Sequence, residues 1–139
     1  MSQKIEIKKL TNLENLCTAI LRYEISRNSK YQDIDFIRGK IHETFVLGYE
    51  GWIDGECKGW AYSLEVDGVY TLDGHNEGVS VFFASRLGNK VVSDLFEKCT
   101  DLVVTAHYKD QIALHLLAKR TGFKVMVEHE DTILFYRVK

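Results

Sequence analysis

The stretch that decides the fold is Gln111-Ile112-Ala113-Leu114-His115-Leu116-Leu117-Ala118-Lys119-Arg120-Thr121-Gly122-Phe123-Lys124. Its apolar residues Ile112, Leu116 and Leu117 recur at the spacing of an amphipathic helix. Gly122 suits the end of that helix, because glycine readily takes the left-handed conformation found there. The residues before it, 100–107, contain the continuous apolar run 102–104, which is typical of a strand covered on both faces. The two stretches together predict a buried strand followed by a helix.

The segment before this unit predicts one strand and two helices. Residues 5–8 alternate apolar and charged side chains, as a half-buried strand does. Thr11 or Asn12 can cap the first helix, and Asp33 or Asp35 can cap the second. The apolar residues that recur at spacings of three and four are Leu13, Leu16, Cys17, Ile20 and Leu21 in the first helix, and Ile34, Ile37, Ile41 and Phe45 in the second.

Two Asp-Gly pairs divide the middle of the chain into strands. Asp54-Gly55 and Asp67-Gly68 favour tight hairpin turns, in which both central residues can take positive φ. They predict a three-stranded antiparallel meander that ends near residue 72. A helical period over 79–99, interrupted at Gly88, and a final pair of strands at 125–127 and 133–138 complete the chain. The predicted fold is α/β (α+β), ordered βααβββαβαββ, with about six or seven strands in a mixed sheet flanked by four helices.

Bulk composition limits the classes of protein. The 139 residues, 45% hydrophobic, suit a single domain over 1–139. A net charge of -2 does not favour general nucleic-acid binding. No apolar run is long enough to cross a bilayer, and the alternating start is not an apolar signal segment, so we expect a cytoplasmic protein.

Cysteine and histidine spacing predicts no disulfide framework and no metal site. Cys17, Cys57 and Cys99 are far apart and lack CxxC spacing. The five histidines show no close repeated spacing that would form a zinc site. We therefore expect reduced, packed cysteines and no bound metal.

The order of elements resembles the GNAT superfamily of N-acetyltransferases over essentially the whole chain. The resemblance is strongest in the strand at 100–107 and in the helix that ends Lys119-Arg120-Thr121-Gly122-Phe123. A narrower likeness, in residues 70–74 and 88–96, is to acetyltransferase-like proteins of tailed phages. The resemblance implies acetyl-CoA as co-substrate, with pantetheine in a gap between two splayed strands and the pyrophosphate at the start of the third helix.

The pyrophosphate loop of that family usually reads Arg/Gln-x-x-Gly-x-Gly/Ala. The match we favour is Arg86-Leu87-Gly88-Asn89-Lys90, with Leu72 and His107 as further cofactor-binding residues. Two alternatives stay open: one continuous helix through Gly88, at a cost of about 1 kcal/mol relative to alanine, and a loop at 73–78.

Acyl transfer to an amine needs a base for the ammonium and an acid for the departing thiolate. Asp73 and His75, or Glu65 on the preceding strand, would face the acceptor, and Tyr108 could approach the splay. Many members of the family carry a tyrosine midway along the fourth helix, where this chain has Ala118. The aromatic residues Tyr49, Trp52, Trp60 and Tyr62 either line an acceptor pocket or pack in the core.

Two functions follow from the resemblance. The first is an N-acetyltransferase that transfers acetyl from acetyl-CoA to a primary amine of a small molecule or a protein. The second is a catalytically decayed relative, phage-encoded, that binds a host or virion protein. By family analogy the last strands can supply the contacts of a homodimer.

Overall fold

The structure is a computed structural model that describes residues 3–139. Met1 and Ser2 of the alternating start lie outside the described residues. The strands are β1 (Ile5–Lys9), β2 (Phe45–Ile53), β3 (Glu56–Val66), β4 (Val69–Thr71), β5 (Asp73–Asn76), β6 (Leu102–Tyr108), β7 (Lys124–Glu128) and β8 (Thr132–Val138). The helices are α1 (Leu13–Ser26), α2 (Ile34–Thr44), α3 (Val81–Lys98) and α4 (Ile112–Arg120).

The first two helices begin where polar side chains cap them. The Asn12 side chain accepts hydrogen bonds from the backbone amides of Glu14 and Asn15. Asp33 accepts in the same way from the amides of Asp35 and Phe36. Each cap satisfies amides that have no partner within the helix, so Asn12 and Asp33 are the caps among the predicted alternatives.

Both Asp-Gly hairpins are confirmed. Asp54 and Gly55 have φ of 50° and 81°, and Asp67 and Gly68 have φ of 51° and 82°. Positive φ at both central positions joins β2 to β3 and β3 to β4 in tight turns. The meander therefore forms as predicted up to β4.

The eight strands make one mixed sheet of order β1-β2-β3-β4-β6-β8-β7, with β5 paired to β3. Only the β4–β6 pair is parallel among the described pairings. The predicted fourth strand is β4, and β5 is an additional strand at Asp73–Asn76, within the alternative loop 73–78, which follows a break in the ladder at Leu72. This break accounts for the one strand beyond the predicted number.

A helical layer covers each face of the sheet. The core on the α1 and α2 side contains Leu16, Cys17, Ile37, Ile41, Trp60, Tyr62 and Leu64. The core on the α3 and α4 side contains Phe83, Leu87, Val91, Val92, Leu95, Val103, Ala118, Phe123 and Phe135. Within residues 3–139, no helix has the length and apolar character needed to cross a membrane.

Helix α3 corrects the prediction of a loop at residues 86–90. The helix runs unbroken through Gly88, with Leu87 and Val91 fully buried beside it. Burying a large apolar side chain gains about 1.5–3 kcal/mol, more than the roughly 1 kcal/mol that a helical glycine costs. The continuous helix, left open as the alternative, is the one that forms.

Two other glycines, in α2 and in β2, should change stability in opposite directions when replaced by alanine. A Cβ at Gly39 in α2 would meet no atom within 4 Å, so Gly39→Ala should raise the free energy of unfolding by about 1 kcal/mol. A Cβ at Gly48 would lie 2.9 Å from both the Ala61 carbonyl oxygen and the Tyr62 Cβ, so Gly48→Ala should lower it by about 1–3 kcal/mol. Urea denaturation of both variants measures the two changes; a neutral Gly48→Ala would contradict the close approach of β2 to β3.

Candidate active site

The site begins where β5 and β6 separate. The Leu72 amide donates to the Val104 carbonyl at 2.8 Å, and the Thr105 hydroxyl donates to the Leu72 carbonyl at 2.7 Å. Beyond Leu72, β5 pairs only with β3 and β6 pairs with β8 in the described part of the chain. A gap therefore opens in the middle of the sheet.

A cavity of about 750 Å³ occupies this gap. Its walls come from both helical layers as well as from the two separated strands. Ile20, Tyr23, Tyr31, Phe36, Ile37 and Lys40 line it on the α1 and α2 side, and Ala84, Gly88, Leu114, Leu117, Ala118 and Phe123 on the α3 and α4 side. The cavity thus connects the two faces of the sheet, a volume and position suited to a small-molecule site.

Two titratable side chains of β5, Asp73 and His75, lie on the α1 and α2 side. Successive strand residues point to opposite faces, so residues 73 and 75 share one face. The Thr71 hydroxyl donates to Asp73 Oδ2 at 2.5 Å. Burial raises the pKa of the Asp73 carboxyl, against the hydrogen bond from Thr71 and the charge of Lys40, which lower it.

His75 is held among aromatic rings, with 10% of its side chain exposed. Its ring centroid lies 5.6 Å from that of Trp60 and 5.7 Å from that of Tyr23. Burial lowers the pKa of the imidazole, and Glu77 opposes the shift. The Nε2 atom lies 3.4 Å from Glu77 Oε1 but forms no hydrogen bond among the described residues. His75 is therefore a neutral imidazole at neutral pH, able to accept a proton.

Further aromatic and acidic groups surround this pair. Tyr23, Tyr31, Phe36, Trp60, Tyr62 and Glu24 all line the same part of the cavity. Trp60 Nε1 is a buried donor with no partner in the described structure. Aromatic faces beside carboxylates attract cations, so this wall is suited to an ammonium group. Trp60 and Tyr62 also belong to the core, so these two side chains both pack in the core and line the cavity.

Small side chains line the wall on the α3 and α4 side. Ala84 and Gly88, one turn apart on α3, lie across the cavity from Ala118 of α4. A Cβ on Gly88 would meet only Leu72 Cδ2, at 3.6 Å. Ala118 is 4% exposed and offers no hydroxyl where a family tyrosine would stand. This wall shapes the cavity and contributes no proton donor at that position.

His107 of β6 lies on the same wall. Its Nε2 is 3.3 Å from the Thr105 hydroxyl, and its ring centroid is 6.3 Å from that of His115. Burial lowers the pKa of His107 to about 4, and the charge of His115 adds to the shift. His107 is thus neutral at physiological pH.

Tyr23 of α1 and Arg27, which follows that helix, contact the end of β6 and the loop after it. The Tyr23 hydroxyl accepts a hydrogen bond from Gln111 Nε2. The Arg27 guanidinium lies 4.4 Å from the ring centroid of Tyr108 and 3.6 Å from Asp110 Oδ2. These contacts fix Tyr108 at the rim of the cavity.

The start of α3 follows the end of β5. Ser80 caps the helix by accepting a hydrogen bond from the Phe83 amide at 3.2 Å, and Gly78 before it has φ of 88°. Asn76 Oδ1 is buried beside this turn without a partner in the described residues. Free amides at a helix start bind anions, so this turn can hold a phosphate group.

Gly78 in this turn matches one position of the motif Arg/Gln-x-x-Gly-x-Gly/Ala. Counting back from Ser80, His75-x-x-Gly78-x-Ser80 has the spacing of Arg/Gln-x-x-Gly-x-Gly/Ala. Histidine and serine stand where that motif has Arg/Gln and Gly/Ala, so the glycine is its single match here. The alternative loop at 73–78 is corrected in part, because residues 73–76 form β5 and only 77–78 lie in the turn before α3.

The cavity brings together most of the predicted site residues: Leu72, Asp73, His75, Gly88, His107 and Tyr108. Arg86, Leu87, Asn89 and Lys90 lie in α3 and outside its lining. Leu87 is fully buried against the sheet, Asn89 accepts a hydrogen bond from Arg137, and Lys90 lies over the Tyr49 ring. Their amides belong to the helix interior, so they cannot form the predicted loop. His107 and Tyr108 are the last two residues of β6.

The low pKa of His107 has a measurable consequence. The folded state takes up its proton near pH 4 and the unfolded state near the ordinary 6.5, so this group lowers stability as pH falls from 6.5 to 4. Histidine NMR titration should give His107 a midpoint near 4, and His107→Gln should reduce the loss of stability over that interval. A midpoint near 6.5 would contradict the buried position.

No protein-family model matches this chain, and no curated protein sequence matches it significantly. Solved structures do match. A putative acetyltransferase from Acinetobacter baylyi ADP1 aligns with a TM-score of 0.78 at 11% identity, over 100% of this chain and 95% of that one. An N-acetyltransferase from Staphylococcus aureus Mu50 aligns with 0.72 at 13%, over 97% of both chains.

A third match is the N-acetyltransferase PseH from Campylobacter jejuni in complex with acetyl coenzyme A. It aligns with a TM-score of 0.65 at 16% identity, over 98% of this chain and 99% of that one. At identities this low the matches show a shared backbone fold, and they do not transfer the roles of individual residues to this chain. The chain has the GNAT fold of these N-acetyltransferases.

Proposed function

We propose that this chain transfers an acetyl group from acetyl-CoA to a primary amine. The observation that carries the proposal is the gap between β5 and β6. Asn76 and Ala84, which flank the start of α3, line this gap together with the Asp73 carboxyl and the neutral imidazole of His75. A donor that is anionic at one end and acylated at the other fits such a passage.

The donor would enter from the α3 and α4 side. The amides at the start of α3, next to Gly78 and Ser80, would hold the diphosphate. The narrow arm of the donor would pass Leu72, Gly88 and Ala118, whose small or flexible side chains leave the cavity open. The complex of PseH with acetyl coenzyme A supports this class of donor.

The acceptor would enter from the α1 and α2 side. A primary amine arrives as ammonium, which the aromatic wall with Glu24 and Asp73 attracts. His75, neutral and without a hydrogen-bond partner at Nε2, would take the proton. The freed amine nitrogen attacks the thioester carbonyl, the amide bond forms, and the carbon–sulfur bond breaks.

The departing thiolate then needs a proton. Ala118 cannot supply one, and the cavity wall contains the hydroxyl of Tyr108 at its rim. We assign the acid to Tyr108, positioned by Arg27 over its ring. The second proton, which the attacking nitrogen loses as the amide forms, would restore the Tyr108 hydroxyl, and His75 would release its proton to solvent. The products are then the N-acetyl amine and free CoA, and both would form in the cytoplasm.

One observation favours a second function. The missing hydroxyl at Ala118 also fits a non-catalytic, phage-encoded protein of the same fold that binds a host or virion protein. An exposed edge supports protein contact of this kind or a homodimer, since Val125, Met126 and Val127 of β7 are 46%, 46% and 39% exposed. Binding of acetyl-CoA separates the two functions.

Calorimetric titration with acetyl-CoA should show a dissociation constant of order micromolar. Phe82→Glu adds one negative charge in the first turn of α3, at a residue 66% exposed, and should weaken binding about tenfold or more. Lys90→Glu, a larger charge change farther along the helix, is the matched control and should leave binding unchanged. If Lys90→Glu weakens binding and Phe82→Glu does not, the diphosphate site is elsewhere. No binding by the wild-type chain at millimolar acetyl-CoA would favour the non-catalytic function.

A kinetic measurement tests the role of His75 as the base. His75→Gln should lower kcat by about 10²–10⁴-fold, the usual contribution of a general base, while the affinity for acetyl-CoA stays the same. Release of free CoA thiol, followed across a panel of primary amines, measures the rate. His129→Gln changes an exposed histidine that does not line the cavity and serves as control. Full activity in His75→Gln would remove the histidine from this role.

A further inference from the structure

We propose that Glu14, Cys17 and His42 form a site for a divalent cation of the zinc class, which joins α1 to α2. One ligand atom from each residue lies within 4.8 Å of the other two. His42 Nε2 is already 3.7 Å from Glu14 Oε2. The cluster lies outside the cavity lining, so the proposal is independent of the acetyltransferase function.

The two helices bring the three side chains together. Glu14 and Cys17 are three residues apart on α1 and so share one face of the helix. His42 lies in the last turn of α2, which packs against α1. Because the ligands come from separate helices, no local histidine or cysteine spacing signals the site in the sequence.

The three donors match the chemistry of zinc. Zinc binds thiolate sulfur, imidazole nitrogen and carboxylate oxygen at about 2.0–2.3 Å in a tetrahedron, in which neighbouring ligand atoms lie roughly 3.3–3.8 Å apart. The separation of His42 and Glu14 falls in that range, so Cys17 needs only a small side-chain movement to complete the triangle. Three protein ligands leave the fourth position to water.

The charges of the ligands and their exposure to solvent also suit a divalent cation. A thiolate and a carboxylate would together neutralise a divalent cation. Glu14 and His42 have 48% and 54% of their side chains exposed, so an ion can enter from solvent above the buried Cys17. Arg38 Nε donates to Glu14 Oε1 at 2.6 Å, which leaves Oε2 directed at His42 and orients the carboxylate as a second-layer partner does.

The competing explanation is an ion-pair network of Glu14, Arg38 and His42 above a packed cysteine. In that case the carboxylate would serve only Arg38 and His42, and Cys17 would only fill space in the core. Burial raises the pKa of the Cys17 thiol, which is consistent with a packed, protonated cysteine in the absence of metal. The two explanations differ in whether a metal draws the sulfur into its coordination sphere.

A bound cation would also affect the cavity wall that α1 and α2 form. Ile20 and Tyr23 of α1, and Ile37 and Lys40 of α2, line the cavity. A cation that holds these helices together would therefore stabilise that wall. We expect its removal to lower the melting temperature of the whole chain.

The test uses the full chain, freed of metal by a chelator, and Co²⁺ as a spectroscopic probe for zinc. One equivalent of Co²⁺ should produce the near-ultraviolet absorption of a cobalt–thiolate bond, and Zn²⁺ should displace it. His42→Gln and Cys17→Ser should weaken Co²⁺ binding by at least about tenfold. Cys99→Ser and His129→Gln, which alter an exposed cysteine and an exposed histidine, should bind as the wild type does.

Cys17→Ser alters a buried residue and could weaken metal binding by destabilising the fold. His42→Gln changes an exposed side chain, so a loss of metal binding in that variant is not due to a disturbed core. Zn²⁺ should raise the melting temperature of the wild type and not that of His42→Gln. A wild-type chain that shows no cobalt–thiolate absorption at one equivalent would overturn the proposal, as would equal absorption in wild type and His42→Gln.

Discussion

The separation of β5 from β6 at Leu72 is the constraint on which the site depends. Strands in a sheet normally continue to pair, since burying unpaired backbone amides and carbonyls costs free energy. Here the last links are the Leu72 amide to Val104 and the Thr105 hydroxyl to the Leu72 carbonyl. Past them the strand edges face a cavity, where a polar ligand can take the place of the missing strand.

The same break divides the chemistry of the site between the two faces of the sheet. Alternation along β5 directs Asp73 and His75 toward α1 and α2, while the partly buried Leu72 packs with the core on the α3 side. One face therefore carries the groups that can bind and deprotonate an amine. The other carries the helix start and the small residues that would admit an anionic donor in the proposed reaction.

Local rules predicted much of this fold from the sequence. The caps at Asn12 and Asp33, the two Asp-Gly hairpins, and the Gly122-Phe123 end of α4 depend on nearby residues alone, and the structure has each of them. Gly122 has φ of 88°, as the end of a helix requires. The gap at Leu72 could not be predicted in this way, because residues 69–76 show no local sign of the change of partner.

The loop predicted at residues 86–90 is a helix for a related reason. Glycine is the most visible residue of the family pattern, and Gly88 lies in a basic segment, so the pattern was sought there. In α3 the burial of Leu87, Val91 and Leu95 outweighs the cost of that glycine. The Glu14, Cys17 and His42 cluster likewise depends on the packing of two helices and has no motif in the sequence.

The central claim is that a CoA-type donor occupies the gap between β5 and β6. Backbone amide chemical shifts, followed by NMR during titration with CoA, test it most directly. The account predicts that the largest changes fall on residues 72–83 and 105–108, with the amides at the start of α3 among them. Changes confined to residues 86–90, or to the opposite edge of the sheet at β1, would contradict it.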